Sequence, residues 1–117
     1  MRAALAALLL ALAAQAAAAS ESCRTVHGRM DLWNGTPSVR IWVIGTHQVL
    51  GVEQRDEKLD DLPAEVRRIW SGKDPETDWR TSIYGDFTVC PLAAYQPGRM
   101  QHVRLAGAQH LSARPRP

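Results

Sequence analysis

Two cysteines, Cys23 and Cys90, stand far apart in a chain of 117 residues that opens like an exported protein, and they restrict its possible folds more than any other feature. Met1 and Arg2 are followed by the apolar run Ala3 to Ala14, and no charge appears again before Glu21. Ala17 and Ala19 supply the small residues of an A-x-A cleavage site, which predicts a signal peptide over residues 1–19 and a mature chain starting at Ser20. The charge-free stretch is short for a span and ends in a peptidase-like site, so no membrane segment is expected after cleavage. Thiols that reach the periplasm or the medium persist as disulfides, and two cysteines leave one intramolecular pairing. A metal-binding thiolate pair and two free thiols are the competing readings, which cysteine spacing does not separate.

The mature chain is the size of one small domain. The sequence carries 14 basic and 12 acidic residues, and loss of Arg2 with the leader brings the two almost level. That balance disfavours bulk electrostatic capture of nucleic acid or anionic lipid, which needs a basic stripe.

Apolar residues alternate along the first segment, with Val26, Met30 and Leu32 on one parity and Thr25, His27, Arg29 and Asp31 on the other, the pattern of a half-buried strand. Asn34-Gly35-Thr36-Pro37 is turn chemistry. Val39, Ile41 and Val43 then resume the apolar face opposite Arg40 and Trp42. A two-residue turn at Asn34 and Gly35 would set Arg29 against Arg40, two like charges. A four-residue loop through Pro37 instead sets Asp31 against Arg40 and Arg29 against Trp42, an ion pair and a cation–π pair, and this register is expected.

A short third strand is expected over His47 to Val52. A charged connection follows, then a helix over Leu62 to Trp70, with Pro63 in its first turn, Leu62, Val66, Ile69 and Trp70 on one face, and Gly72 after it. Lys73 to Arg80 reads as loop. Ile83, Gly85, Phe87 and Val89 alternate with Tyr84, Asp86, Thr88 and Cys90 in a fourth strand, Arg99 to Leu105 supplies a fifth, and residues 112–117 read as a disordered tail after a single domain over 20–111.

Three strands, a helix and two strands form the order of the OB-fold, which this chain resembles in element order. The implied architecture is a mainly β, small five-stranded OB-like Greek-key barrel with one short helix between strands three and four. In that fold strands one and four are antiparallel neighbours, so Cys23 and Cys90 would meet across the seam, both on the outward parity. Continuing that register sets Thr25 opposite Thr88, His27 opposite Asp86 and Arg29 opposite Tyr84. The stretches His27-Gly28-Arg29, NGTPSVRIW (34–42), Gly45-Thr46, Leu50-Gly51-Val52 and GDFTVCPL (85–92) also resemble a group of short exported proteobacterial proteins of unassigned function. That resemblance implies export, periplasmic or secreted, and no particular activity.

These pairings collect His27, Asp86, Arg29, Tyr84, Asp31, Arg40 and Trp42 on one outer face. A histidine facing a carboxylate can act as a general base or respond near neutral pH, but a cross-strand ion pair is the simpler account of His27 and Asp86. No motif positions a serine or cysteine nucleophile, and His27, His47, His102 and His110 share no ligand spacing, so neither metal nor cofactor is expected. The sequence therefore points to a disulfide-bonded binding module that uses Arg29, Arg40, Trp42 and Tyr84 to contact an envelope protein, peptide or glycan. A small metal-dependent or acid–base enzyme built on His27 and Asp86, and a structural accessory domain of an envelope complex, are the alternatives.

Overall fold

A computed structural model of the chain describes residues 22–56 and 58–117; the leader expected over 1–19 lies outside the described residues. Five strands are present: β1 (Arg24–Leu32), β2 (Val39–Val43), β3 (Val49–Val52), β4 (Thr81–Pro91) and β5 (Gln101–Pro115). A 3-10 turn at Leu59–Asp61 and two short helices, α1 (Ala64–Arg67) and α2 (Pro75–Trp79), lie between β3 and β4.

The first hairpin has the register expected from its charges. Arg29 pairs with Trp42 and Asp31 with Arg40, and Trp33 N–H donates to Ser38 O at 2.7 Å, leaving a four-residue loop. Gly35 sits in that loop at φ +103°, a conformation open to glycine because it has no Cβ. The β1–β4 register also matches, with Thr25 opposite Thr88, His27 opposite Asp86 and Arg29 opposite Tyr84. A disulfide joins Cys23 to Cys90. Two glycines face each other in this seam, Gly28 and Gly85. A Cβ on Gly28 would fall 2.6 Å from Ile41 Cγ2, and one on Gly85 would fall 2.5 Å from Leu111 Cδ2. Each glycine is therefore where a neighbouring side chain crosses the backbone.

The expected small OB-like Greek-key barrel with one helix needs correction: the five strands form a mixed sheet that closes on itself, β5 is far longer than expected, and a 3-10 turn and two short helices replace the single helix. Pairing runs β1-β2-β3-β5-β4 and returns to β1, but the β3–β5 contact is parallel and spans only Leu50↔Gln101 to Val52↔Val103. β5 continues for 12 residues past Val103 with β4 as its paired neighbour, to Thr81↔Pro115. The barrel expectation treated β5 as a short staved strand, whereas the long β4–β5 ribbon dominates the sheet. Ladder hydrogen bonds carry β5 through Ala106-Gly107-Ala108, where apolar alternation fails, with register shifts at Tyr84/Asp86 and Thr88/Val89. Residues 112–115 thus belong to β5, and Arg116 N–H donates to Arg80 O at 2.8 Å, so the expected disordered tail is part of the fold.

The helical segment is also divided. Val66 and Trp70 are fully buried and Leu62 nearly so, as the expected apolar face requires, yet regular helix covers only Ala64–Arg67. The segment read as loop contains α2, started by Asp74, whose carboxylate accepts from Thr77 N–H at 3.2 Å and Thr77 Oγ1 at 2.7 Å, with Pro75 in the first turn. This is an N-cap followed by proline at N1. The core gathers the inward parity of the strands, including Met30, Ile41, Leu50, Phe87 and Val103, over Trp70 and Val66 from the helical segment.

Candidate functional site

Strand parity places Trp42, Arg29 and Tyr84 in one row across β2, β1 and β4, because Arg29 is the direct cross-strand partner of both aromatic residues. The Arg29 guanidinium lies 5.1 Å from the Trp42 ring centroid, and its Nε donates to Asp31 Oδ2 at 2.9 Å. Trp42 is fastened at its other end, Nε1 donating to Thr46 O at 2.8 Å. At the far side of the row the Arg114 guanidinium lies 5.3 Å from the Tyr84 ring. The result is a preorganised strip of cations and aromatic rings, each cation–π contact being worth about 0.5–1 kcal/mol at an exposed site.

Arg40 does not join this strip. Its Nε donates to Pro37 O at 3.0 Å and its guanidinium lies 5.5 Å from the Trp33 ring. The expected Asp31–Arg40 ion pair is replaced by a different arrangement, although the two residues are backbone partners. Asp31 is 4% exposed; it accepts from Arg29 and from Ser82 Oγ, with Arg116 Nε 4.0 Å away.

His27 and Asp86 meet as the register requires, and a second histidine completes the group. His27 Nδ1 lies 3.0 Å from Asp86 Oδ1, and His110 Nδ1 lies 2.8 Å from Oδ2. His110 has φ +56°, and it sits where two β5 residues face the single Gly85 of β4. Such a bulge re-aims a side chain that strict alternation would turn away, which is why parity alone does not reveal it. The hydrogen bond from His110, and then that from His27, holds the Asp86 carboxyl below its ordinary range. An ionised Asp86 with both imidazoles on its oxygens can orient the rings and exchange protons with solvent. In a carboxyl-carbon NMR titration, Asp86 is expected to titrate below an ordinary aspartate, with His110→Ala and His27→Ala each moving it back toward the normal value. No movement of Asp86 on either replacement would contradict that assignment.

The described residues contain no free cysteine and no group of three or more His, Cys, Asp or Glu side chains able to hold a metal. No described helix is long and apolar enough to cross a membrane.

A second feature lies at the loop end of the first hairpin. Trp33 and Trp79, 44% and 38% exposed, line a cleft of about 380 Å³ together with Leu32, Leu59, Pro75 and Asp78. The Arg116 guanidinium lies 5.0 Å from the Trp33 ring and 4.7 Å from that of Trp79, and its NH1 donates to Leu32 O at 2.7 Å and Trp79 O at 3.2 Å. Nothing in the apolar periodicity marks these residues, since Trp33 follows the last residue of β1, Trp79 ends α2 and Arg116 stands between prolines. No known protein family, curated protein or solved structure matches the chain.

Proposed function

We propose that this chain is an exported, non-enzymatic binding module of the periplasm or extracellular medium, and that it contacts a protein of the cell envelope through the Trp42–Arg29–Tyr84 strip. The observation that carries this reading is the row itself: Arg29 stacks on Trp42, is oriented by Asp31, and is paired in register with Tyr84. Tryptophan, tyrosine and arginine are the residues most enriched at binding hot spots, and rings held before contact lose little entropy on binding. The leader and the disulfide support export, and the nearly balanced charge disfavours a nucleic-acid partner.

The test is crosslinking of the purified mature domain in envelope extracts, followed by identification of the partner and measurement of its affinity. Arg29→Ala combined with Trp42→Ala is expected to weaken binding by more than about tenfold, the equivalent of one hot-spot residue. Arg40→Ala, whose side chain leaves the strip, is expected to bind as the wild type does. Equal affinity of the double variant and the wild type overturns the assignment, as does transfer of binding to an envelope glycan.

A further inference from the structure

We propose that the cleft bounded by the β1–β2 loop, the 3-10 turn and α2 binds a proline-containing peptide in the polyproline II conformation, with acidic residues flanking the prolines. This site is separate from the Trp42 strip. Its walls are apolar and aromatic, chiefly Leu32, Trp33, Leu59, Pro75 and Trp79, as suits a ligand that offers rings and no buried charge.

The indole N–H groups indicate what else the ligand must offer. Trp42 and Trp70 donate to Thr46 O and Thr81 O at 2.8 and 3.0 Å, whereas Trp33 and Trp79 have no acceptor among the described residues. Two partly exposed donors on an apolar cleft call for carbonyl acceptors. A polyproline II segment has them, because it makes no internal hydrogen bonds and leaves its carbonyls unpaired while its rings pack against aromatic walls at low entropic cost.

A saccharide would also stack on indole, but its hydroxyls need polar partners inside the cleft. The polar side chains there are engaged: Asp78 accepts from Gly72 N–H at 2.9 Å and Ser38 Oγ donates to Gln54 Oε1 at 3.3 Å. Burying hydroxyls without partners is unfavourable. Charge supplies the flanking preference. Arg40 and Arg116 both lie against Trp33, at 5.5 and 5.0 Å, so acidic residues beside the prolines would meet two cations.

The decisive experiment follows the four indole N–H signals of the mature, disulfide-bonded protein by nitrogen–proton correlation NMR. The probe is an oligoproline decapeptide with glutamate at each end. At about 1 mM peptide, saturable shifts are expected for the Trp33 and Trp79 indoles, with those of Trp42 and Trp70 unmoved. Trp79→Phe, which keeps an apolar ring and removes the donor, is expected to weaken binding by about fivefold. The Arg29→Ala, Trp42→Ala double variant is expected to bind this peptide as the wild type does, which separates failure here from failure of the strip. The proposal is overturned if neither indole moves, if a glycine–serine peptide with the same glutamates acts equally, or if chitotriose shifts them while oligoproline does not.

Discussion

Replacing both Cys23 and Cys90 with alanine will lower the free energy of unfolding by about 4 kcal/mol. The two cysteines lie 67 residues apart and close a loop that encloses β1 to β4 and both helices. On the chain-entropy account a cross-link of that length acts mainly on the unfolded state, by excluding expanded conformations. The folded state is expected to keep its form without it, because β1 and β4 remain joined from Arg24↔Val89 to Met30↔Ile83. Small domains are stable by about 5–15 kcal/mol, so the loss is a large share of the total and corresponds to a fall in Tm on the order of 20 °C. Urea unfolding of the two proteins checks this. The midpoint should fall while the denaturant dependence steepens, since the freed unfolded chain exposes more surface. A loss below about 1 kcal/mol would show that the strand ladder alone secures the seam.

The parts of the structure most legible in the sequence are those governed by two-residue periodicity together with a local chemical choice. In β1 and β2, alternation assigns the faces, and the clash of Arg29 with Arg40 in the shorter turn selects the longer one. In β1 and β4, the cysteines supply a fixed pair from which His27–Asp86 and Arg29–Tyr84 follow by counting. Legibility ends where alternation breaks. The β5 bulge at His110 reverses a side chain, so the third member of the Asp86 group is hidden. The run Arg114-Pro115-Arg116-Pro117 has no apolar pattern and reads as tail, yet Arg116 is held by two indole faces and two carbonyls. α2 had a local signature, Asp74-Pro75 with Thr77, which its polar composition outweighed. Asp31 shows the limit of register as a guide to contact. Backbone partnership with Arg40 was legible, but the carboxylate turns to Arg29 and Ser82.

That departure carries the second large effect: Asp31→Ala should destabilise the fold by about 3 kcal/mol, the range for removing one partner of a buried ion pair. The substitution leaves Ser82 Oγ, on a residue with no exposed surface, without its carboxylate acceptor. It also removes the anion beside Arg29, whose side chain is only 26% exposed. Both arginines keep other contacts, Arg29 on Trp42 and Arg116 on two carbonyls, so the strip and the Trp33–Trp79 pair should loosen without being lost. Asp31→Asn retains an oxygen acceptor and should cost about half as much. Double-mutant cycles separate the partners. Coupling of Asp31 should be largest with Arg29, at 2.9 Å, smaller with Arg116, at 4.0 Å, and close to zero with Arg40, which spends its Nε on Pro37 O. A coupling with Arg40 equal to that with Arg29 would restore the cross-strand ion pair and contradict the arrangement described. The expected order instead makes Asp31 the group that orients Arg29 for the strip while sharing its charge with Arg116 at the cleft.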